Sequence, residues 1–325
     1  MSSEKKLITV FGATGLAGGS VVNYLLEDGT FAVRGVTRSA SSDKAKALTK
    51  RGVEIVEADM DKPETLVAAI KGSYGVLGMT DFWTLLPGTG FDILKTEAEE
   101  EQQGRRIVDA AKAAGVDHFV FLSLPDGDCP HFRGKHRVEK YLSASGLGYT
   151  NVVTAMYFEN LTTFDFFMFT PDGKGSGTVT VPFPADKAMS CYSGDQTGGW
   201  VLQAFKKPEQ WKGKDIRVIG EYLTPRKMAA VLSAAIGKPV PIKEMSLEDF
   251  FAFGNSKPTD PQGIVAYELH LMLRDMVQNG QPEHGGGFYD EAAAAEVYPG
   301  VQNFEAWVRE NERAQKLLAS LAAQA

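Results

Sequence analysis

Leu7-Ile8-Thr9-Val10-Phe11-Gly12-Ala13-Thr14-Gly15-Leu16-Ala17-Gly18 is the stretch on which the fold turns. Its first half is apolar and β-branched, as a buried strand requires. Gly12, Gly15 and Gly18 then recur at every third position, and Val21, Val22, Leu25 and Leu26 follow at helical spacing before Gly29. A strand that passes through Gly-x-x-Gly-x-x-Gly into an amphipathic helix opens a βαβ unit. Gly12 permits the tight turn, Gly15 lets backbone approach a pyrophosphate, and Gly18 allows close packing of the helix. The N–H groups and positive dipole end of that helix favour an anion. The stretch predicts a dinucleotide site, against the plainer reading of a tight turn alone.

Outward from this unit, strand and helix patterns alternate. Strands are expected at residues 7–11, 31–37, 53–56, 74–79, 118–123 and 149–153, with helices at 16–27, 42–51, 91–114 and 138–145 between them. Another helix carries Leu66, Val67 and Ile70, with Asp61 as its cap and Glu64 three residues on. The Glu-rich middle of the 91–114 helix is expected to be a solvated face. Short connections of this kind write an α/β, Rossmann-type, doubly wound parallel sheet. Beyond Val153 the rhythm breaks. Residues 162–180 carry aromatics and a Gly-rich turn cluster suited to a loop or lobe, and a strand at 216–219, a Thr224-capped helix and a terminal helix at 303–319 follow. The expected division is a Rossmann domain at 1–155, completed by about 186–222, and a smaller mixed α/β C-terminal lobe at about 156–185 and 223–325.

Among 325 residues, Lys and Arg number 34 and Asp and Glu 41, a net charge of −7. No global cationic field or local basic patch is present to hold a nucleic acid backbone, so direct nucleic-acid binding is not expected. Cys129 and Cys191 are the two cysteines. Neither has zinc-site spacing or belongs to a disulfide framework, so no metal is expected. The N-terminus lacks a signal-peptide pattern and no run approaches the length of a membrane span. The expected location is the cytoplasm, with the nucleus as an addition.

The end of the second strand selects among dinucleotides. An NAD site places Asp or Glu about twenty residues past the glycines. This sequence instead has Val36-Thr37-Arg38-Ser39. The Arg38 guanidinium suits the 2′-phosphate of NADP(H), which a carboxylate would repel; the alternative is a surface Arg that merely solvates the strand end. Asp59, after the third strand, stands where adenine is often contacted, or it caps its own loop beside Asp61.

These motifs, with Thr80-Asp81-Phe82-Trp83, Tyr157-Phe158-Glu159-Asn160-Leu161 and Tyr298-Pro-Gly-Val-Gln-Asn-Phe-Glu-Ala-Trp307, resemble the NmrA-like family of atypical short-chain dehydrogenase relatives. That family includes NADPH-sensing regulators and some quinone and carbonyl reductases. The resemblance implies that Gly12, Ala13, Thr14, Gly15, Leu16, Ala17, Arg38, Asp59, Met60, Thr80, Asp81, Phe82, Lys135, Tyr157, Phe158, Glu159 and Asn160 hold NADP(H). Ordinary short-chain dehydrogenases use Tyr-x-x-x-Lys, and the corresponding stretch here is His131-Phe-Arg-Gly-Lys135. Lys135 remains a candidate ribose ligand, or else a solvated lysine. His131 is the candidate acid. A neighbouring cation and the positive ring of oxidised nicotinamide both oppose the imidazolium that carbonyl reduction would need, which favours a non-catalytic His.

Tyr157 and Tyr289 could offer a phenol to a substrate, and Phe164, Phe166, Phe167 and Phe169 could line a surface, though packing is the commoner role. His284 beside three glycines suggests a mobile loop. Two functions follow: an NADP(H)-responsive regulator whose loops at 80–87 or 162–176 order with the cofactor, or an NADPH-dependent reductase of a quinone, aldehyde or ketone. The expected partners are NADP(H), a protein or a small quinone or carbonyl substrate, and a second copy of the chain.

Overall fold

The computed structural model describes residues 5–162, 168–255, 258–279 and 288–324. The chain divides into two compact units, Met1–Thr154 with Asp195–Val218, and Ala155–Gly194 with Ile219–Ala325. No helix among the described residues is long and apolar enough to cross a membrane.

In the first unit, β1 (Leu7–Val10), β2 (Ala32–Thr37), β3 (Glu54–Glu57), β4 (Gly75–Gly78), β5 (His118–Ser123) and β6 (Tyr149–Val153) are joined by a late strand, Lys214–Arg217. Across the sheet the order is Lys214–Arg217, β6, β5, β4, β1, β2, β3, and every neighbouring pair is parallel. Chain order reverses between β1 and β4, the crevice where α/β sheets bind ligands. Helices α1 (Leu16–Asp28), α2 (Asp43–Lys50), α3 (Pro63–Ile70), α4 (Phe82–Leu85), α5 (Ile93–Ala113), α6 (Pro130–Ala144) and α7 (Thr197–Lys206) accompany the sheet. Strands of a parallel sheet are buried on both faces, so β4 and β5 are buried throughout.

Several expectations about helices are corrected. The Ser20 hydroxyl accepts the Gly198 N–H at 2.9 Å and donates to the Asp195 carbonyl at 2.6 Å, satisfying the start of α7. A Cβ on Gly198 would lie 2.6 Å from the Ser20 carbonyl oxygen. Gly198 thus adds a close approach of α7 to α1, beside the one Gly18 makes between α1 and the turn after β1. Helix α6 begins at Pro130 rather than near Val138, because Pro is tolerated at a first helical position. The middle of α5 is not a solvated face. Glu97 and Glu100 are buried, and Glu97 receives a two-pronged bond from Arg133 (3.1 and 2.6 Å) and a third contact from Arg137 (3.0 Å). Gly104 and Gly134 let the two helices approach, since a Cβ on Gly104 would lie 2.4 Å from Val138 Cγ2.

His118 illustrates the cost of this packing. It is fully buried, its Nε2 lies 2.8 Å from Thr150 Oγ1, and its ring meets Phe205 edge-on at 5.5 Å. Burial, reinforced by the charge of Lys212, pushes the imidazole down to about 4. The unfolded chain takes up this proton near its ordinary value of about 6.5, so stability falls as pH drops from there toward about 4. Urea unfolding at pH 7 and pH 4.5 is expected to show about 2 kcal/mol less acid-induced loss in His118→Asn than in the parent. Equal losses in both proteins would remove His118 from the account.

The described residues of the second unit form two three-stranded sheets. Glu221–Leu223, Met189–Tyr192 and Met156–Tyr157 form one; Ile242–Lys243, Gly177–Thr180 and Met168–Pro171 form the other. The turn cluster within residues 162–180 is a hairpin, with Asp172 Oδ1 accepting the N–H groups of Lys174 (2.7 Å) and Ser176 (3.0 Å). Phe169 is core; Phe164, Phe166, Phe167 and His284 lie outside the described residues. The expected terminal helix is two, Phe304–Glu310 and Glu312–Ala322. Asn311, extended at φ −77° and ψ 131°, ends the first and caps the second through the Arg313 N–H at 2.8 Å.

Candidate dinucleotide-binding site

The glycine turn lies at the carboxyl end of β1. Gly12 has φ +67°, and its carbonyl accepts the Gly15 N–H at 2.9 Å. Gly15 then caps α1 with extended backbone and no side-chain cap. Because the Gly19 N–H is bonded to the Gly15 carbonyl, the N–H groups of Leu16, Ala17 and Gly18 precede the first intrahelical bond. Gly18 packs onto the turn itself: a Cβ there would lie 2.2 Å from the Gly12 oxygen. Two further residues bracket the loop. A Cβ on Gly12 would lie 2.4 Å from Met79 Sδ on the β4 side, and one on Gly35 in β2 would lie 3.0 Å from the Ala13 Cβ. Sequence reasoning singles out neither Met79 nor Gly35, since each matters only through tertiary approach.

At the end of β2, Arg38 is exposed and has no hydrogen bond or ion pair among the described residues. The hydroxyl-rich loop after it is ordered by its own bonds: Ser39 and Ser41 hydroxyls lie 3.1 Å apart, Ser42 donates to the Ser39 carbonyl at 3.0 Å, and Ser42 caps α2. Beyond β3, Asp59 Oδ1 accepts the Asp61 N–H at 3.0 Å, the turn-capping alternative. Asp61 does not cap α3, whose cap is Lys62. It accepts instead from Gln103 (3.1 Å) and Arg106 (3.1 Å) of α5, and Arg106 also reaches the Met60 carbonyl at 3.1 Å.

After β4, Thr80 is buried and Asp81 caps α4, its carboxylate accepting the Thr84 N–H (3.2 Å) and hydroxyl (2.6 Å). Part of the expected 80–87 loop is thus helical. Lys135 comes to Thr80 from α6: its Nζ lies 3.3 Å from both the Thr80 carbonyl oxygen and Oγ1, and it pairs with Glu100 Oε1. Thr80 Oγ1 donates to the same Glu100 oxygen at 3.0 Å. Removing one partner of so buried a pair costs about 3–5 kcal/mol. His131, one helical turn before Lys135, is buried, with Phe82, Trp83 and Phe132 ring centroids at 5.7, 5.2 and 4.7 Å.

Tyr157, Phe158, Glu159 and Asn160 belong to the second unit. Tyr157 meets Tyr192 edge-on at 5.3 Å, and Phe158 is buried against Phe304 and Trp307 at 5.4 and 5.7 Å. Glu159 accepts the Ser193 hydroxyl and the Gly194 N–H, both at 2.8 Å. Tyr289 is buried as well.

A doubly wound parallel sheet with a glycine turn at its switch point is a Rossmann-type fold. The NmrA-like family pattern matches residues 4–307, and the chain belongs to that family. Among its relatives, the Aspergillus flavus NmrA-like family domain-containing oxidoreductase lnaB is 30% identical over 259 residues, covering 73% of this chain and 75% of lnaB. The nitrogen metabolite repression protein nmr of Neurospora crassa is 28% identical over 345 residues, covering 95% of this chain and 69% of nmr. A crystal structure of NmrA, a negative transcriptional regulator, in complex with NADP superposes with a TM-score of 0.75 over 98% of both chains at 22% identity, a likeness in fold.

Proposed function

We propose that the chain binds NADP(H) and reports the cofactor's state to a partner. The observation that carries the cofactor reading is Arg38, exposed and without a partner among the described residues, at the end of β2 where an NAD site would place a carboxylate. The residues fit the group. Gly12, Ala13, Thr14 and Gly15 shape the turn, while Leu16 and Ala17 offer backbone N–H groups to a pyrophosphate. Arg38 takes the 2′-phosphate in a fork, and Lys135 takes ribose hydroxyls on the β4 side. Asp59, Met60, Asp81 and Phe82 border the same carboxyl edge, and Tyr157 to Asn160 are assigned to the cofactor on family resemblance. Bound NADP(H) would supply a hydride donor and its oxidised form.

The regulatory half of the reading rests on His131. The residue standing where the dyad Tyr is expected is buried, with three aromatic rings beside it, and a buried site is a poor position from which to hand a proton to a substrate oxygen. A second reading, NADPH-dependent reduction of a quinone, aldehyde or ketone, is favoured by the anchored Lys135 amine and by the oxidoreductase name of lnaB. Mixing the protein with NADPH and a panel of quinones and carbonyls separates the two. Tight NADPH binding with no cofactor consumption is the expected result; steady consumption above a protein-free control would overturn the regulatory reading in favour of the reductase.

A further inference from the structure

We propose that Glu100 is a positioning residue, holding the Lys135 amine at the nicotinamide-ribose end of the site so that affinity for that half of the cofactor is set from α5. This deepens the NADP(H) reading above and rests on it. Two glutamates one helical turn apart on α5 are treated differently by the fold. Glu97 is saturated by two arginines. Glu100, with no exposed surface, pairs through Oε1 with Lys135 and Thr80, while Oε2 has no hydrogen-bond partner among the described residues. Leaving half of a buried carboxylate unsatisfied is costly, and a purely structural acid at this place would be paired as Glu97 is.

The direction of the hold points to its use. Lys carries three donors on a flexible stem; the bond to Glu100 is the short one and the two to Thr80 are long at 3.3 Å, so a ribose hydroxyl can take over a donor directed at Thr80 while Glu100 holds the amine in place. In the sheet, β4 and β2 flank β1 on opposite sides. A cofactor whose 2′-phosphate meets Arg38 at the β2 end and whose pyrophosphate meets the turn after β1 therefore extends toward β4 and Lys135. Gly134 makes the arrangement possible, since a Cβ there would sit 3.0 Å from Glu100 Oε2.

The test is calorimetry on the full chain with two probes: NADPH, and adenosine 2′,5′-bisphosphate, which has the 2′-phosphate but no nicotinamide. Glu100→Gln and Lys135→Met are each expected to weaken NADPH by about 10-fold. The double variant, which leaves no buried unpaired charge, is expected to weaken it by no more than about 10-fold, because the two residues act as one unit. Affinity for the bisphosphate stays within about two-fold throughout, which also certifies that the variants fold. Unchanged NADPH affinity in Glu100→Gln, equal loss of both probes, or effects that multiply in the double variant would each overturn the positioning role. A parent protein that binds neither probe would instead overturn the cofactor reading, and the inference with it.

Discussion

Gly18→Ala is expected to destabilise the protein by about 2 kcal/mol and to abolish NADPH binding, while Gly19→Ala, its neighbour on the same helix, leaves binding intact and stabilises by about 0.5–1 kcal/mol. The contrast follows from what each new methyl would meet. At Gly18 it would lie 2.2 Å from the Gly12 oxygen, 2.5 Å from the Gly12 carbonyl carbon and 2.9 Å from the Phe11 oxygen. All three atoms are backbone, so none can swing aside, and the turn that presents the α1 N-terminus must open. At Gly19 the nearest atom is the Ala13 oxygen at 3.4 Å, ordinary contact, and the gain is the usual one of Ala over Gly inside a helix. Thermal unfolding with and without NADPH measures both terms. If the two substitutions behave alike, the close approach of Gly18 to the turn is not what shapes the site.

Arg38→Asp is expected to weaken NADPH by on the order of 100-fold while changing NADH affinity by less than about three-fold. The guanidinium has no competing partner among the described residues, so its removal disturbs nothing else in the fold. The substitution takes away charge-assisted bonds to the 2′-phosphate and puts a like charge in their place, and it restores the carboxylate that suits a ribose 2′-hydroxyl. Titration of both nucleotides into parent and variant reads the effect. Equal loss for the two would show that Arg38 does not discriminate between them.

What sequence discloses of this fold, and what it hides, follow a physical line. The first βαβ unit, the Thr224 cap and the stop at Gly29 are legible because their causes are local: a φ of +71° at Gly29, or a hydroxyl accepting from the third N–H. The break at Asn311 has a local cause too, but an amphipathic pattern runs through it and conceals it. Glu97 and Glu100 suggest a solvated face because their partners, Arg133, Arg137 and Lys135, lie more than thirty residues on, and no periodicity records which helix will pack on which. Asp61 looks like a helix cap for the same reason, its partners being Gln103 and Arg106. In the candidate site, the turn and the strand end carrying Arg38 are visible in sequence. Met79, Gly35 and Glu100 are not, since each acts through space on a residue far along the chain.

The sheet of the first unit ends on a strand that arrives late. Lys214–Arg217 pairs with β6 only after the chain has left that unit at Thr154 and come back at Asp195. During synthesis at about 5–20 residues per second, the 64 residues from Thr154 to Val218 take roughly 3–13 s to emerge. Throughout that interval β6 presents an open edge, and for most of it His118 lacks its Phe205 neighbour and Ser20 has no helix to cap. The nascent chain thus carries an unfinished strand edge of the kind that invites mispairing and chaperone attention. A fragment cut at Thr154 would keep the glycine turn in its sequence yet make that vulnerability permanent.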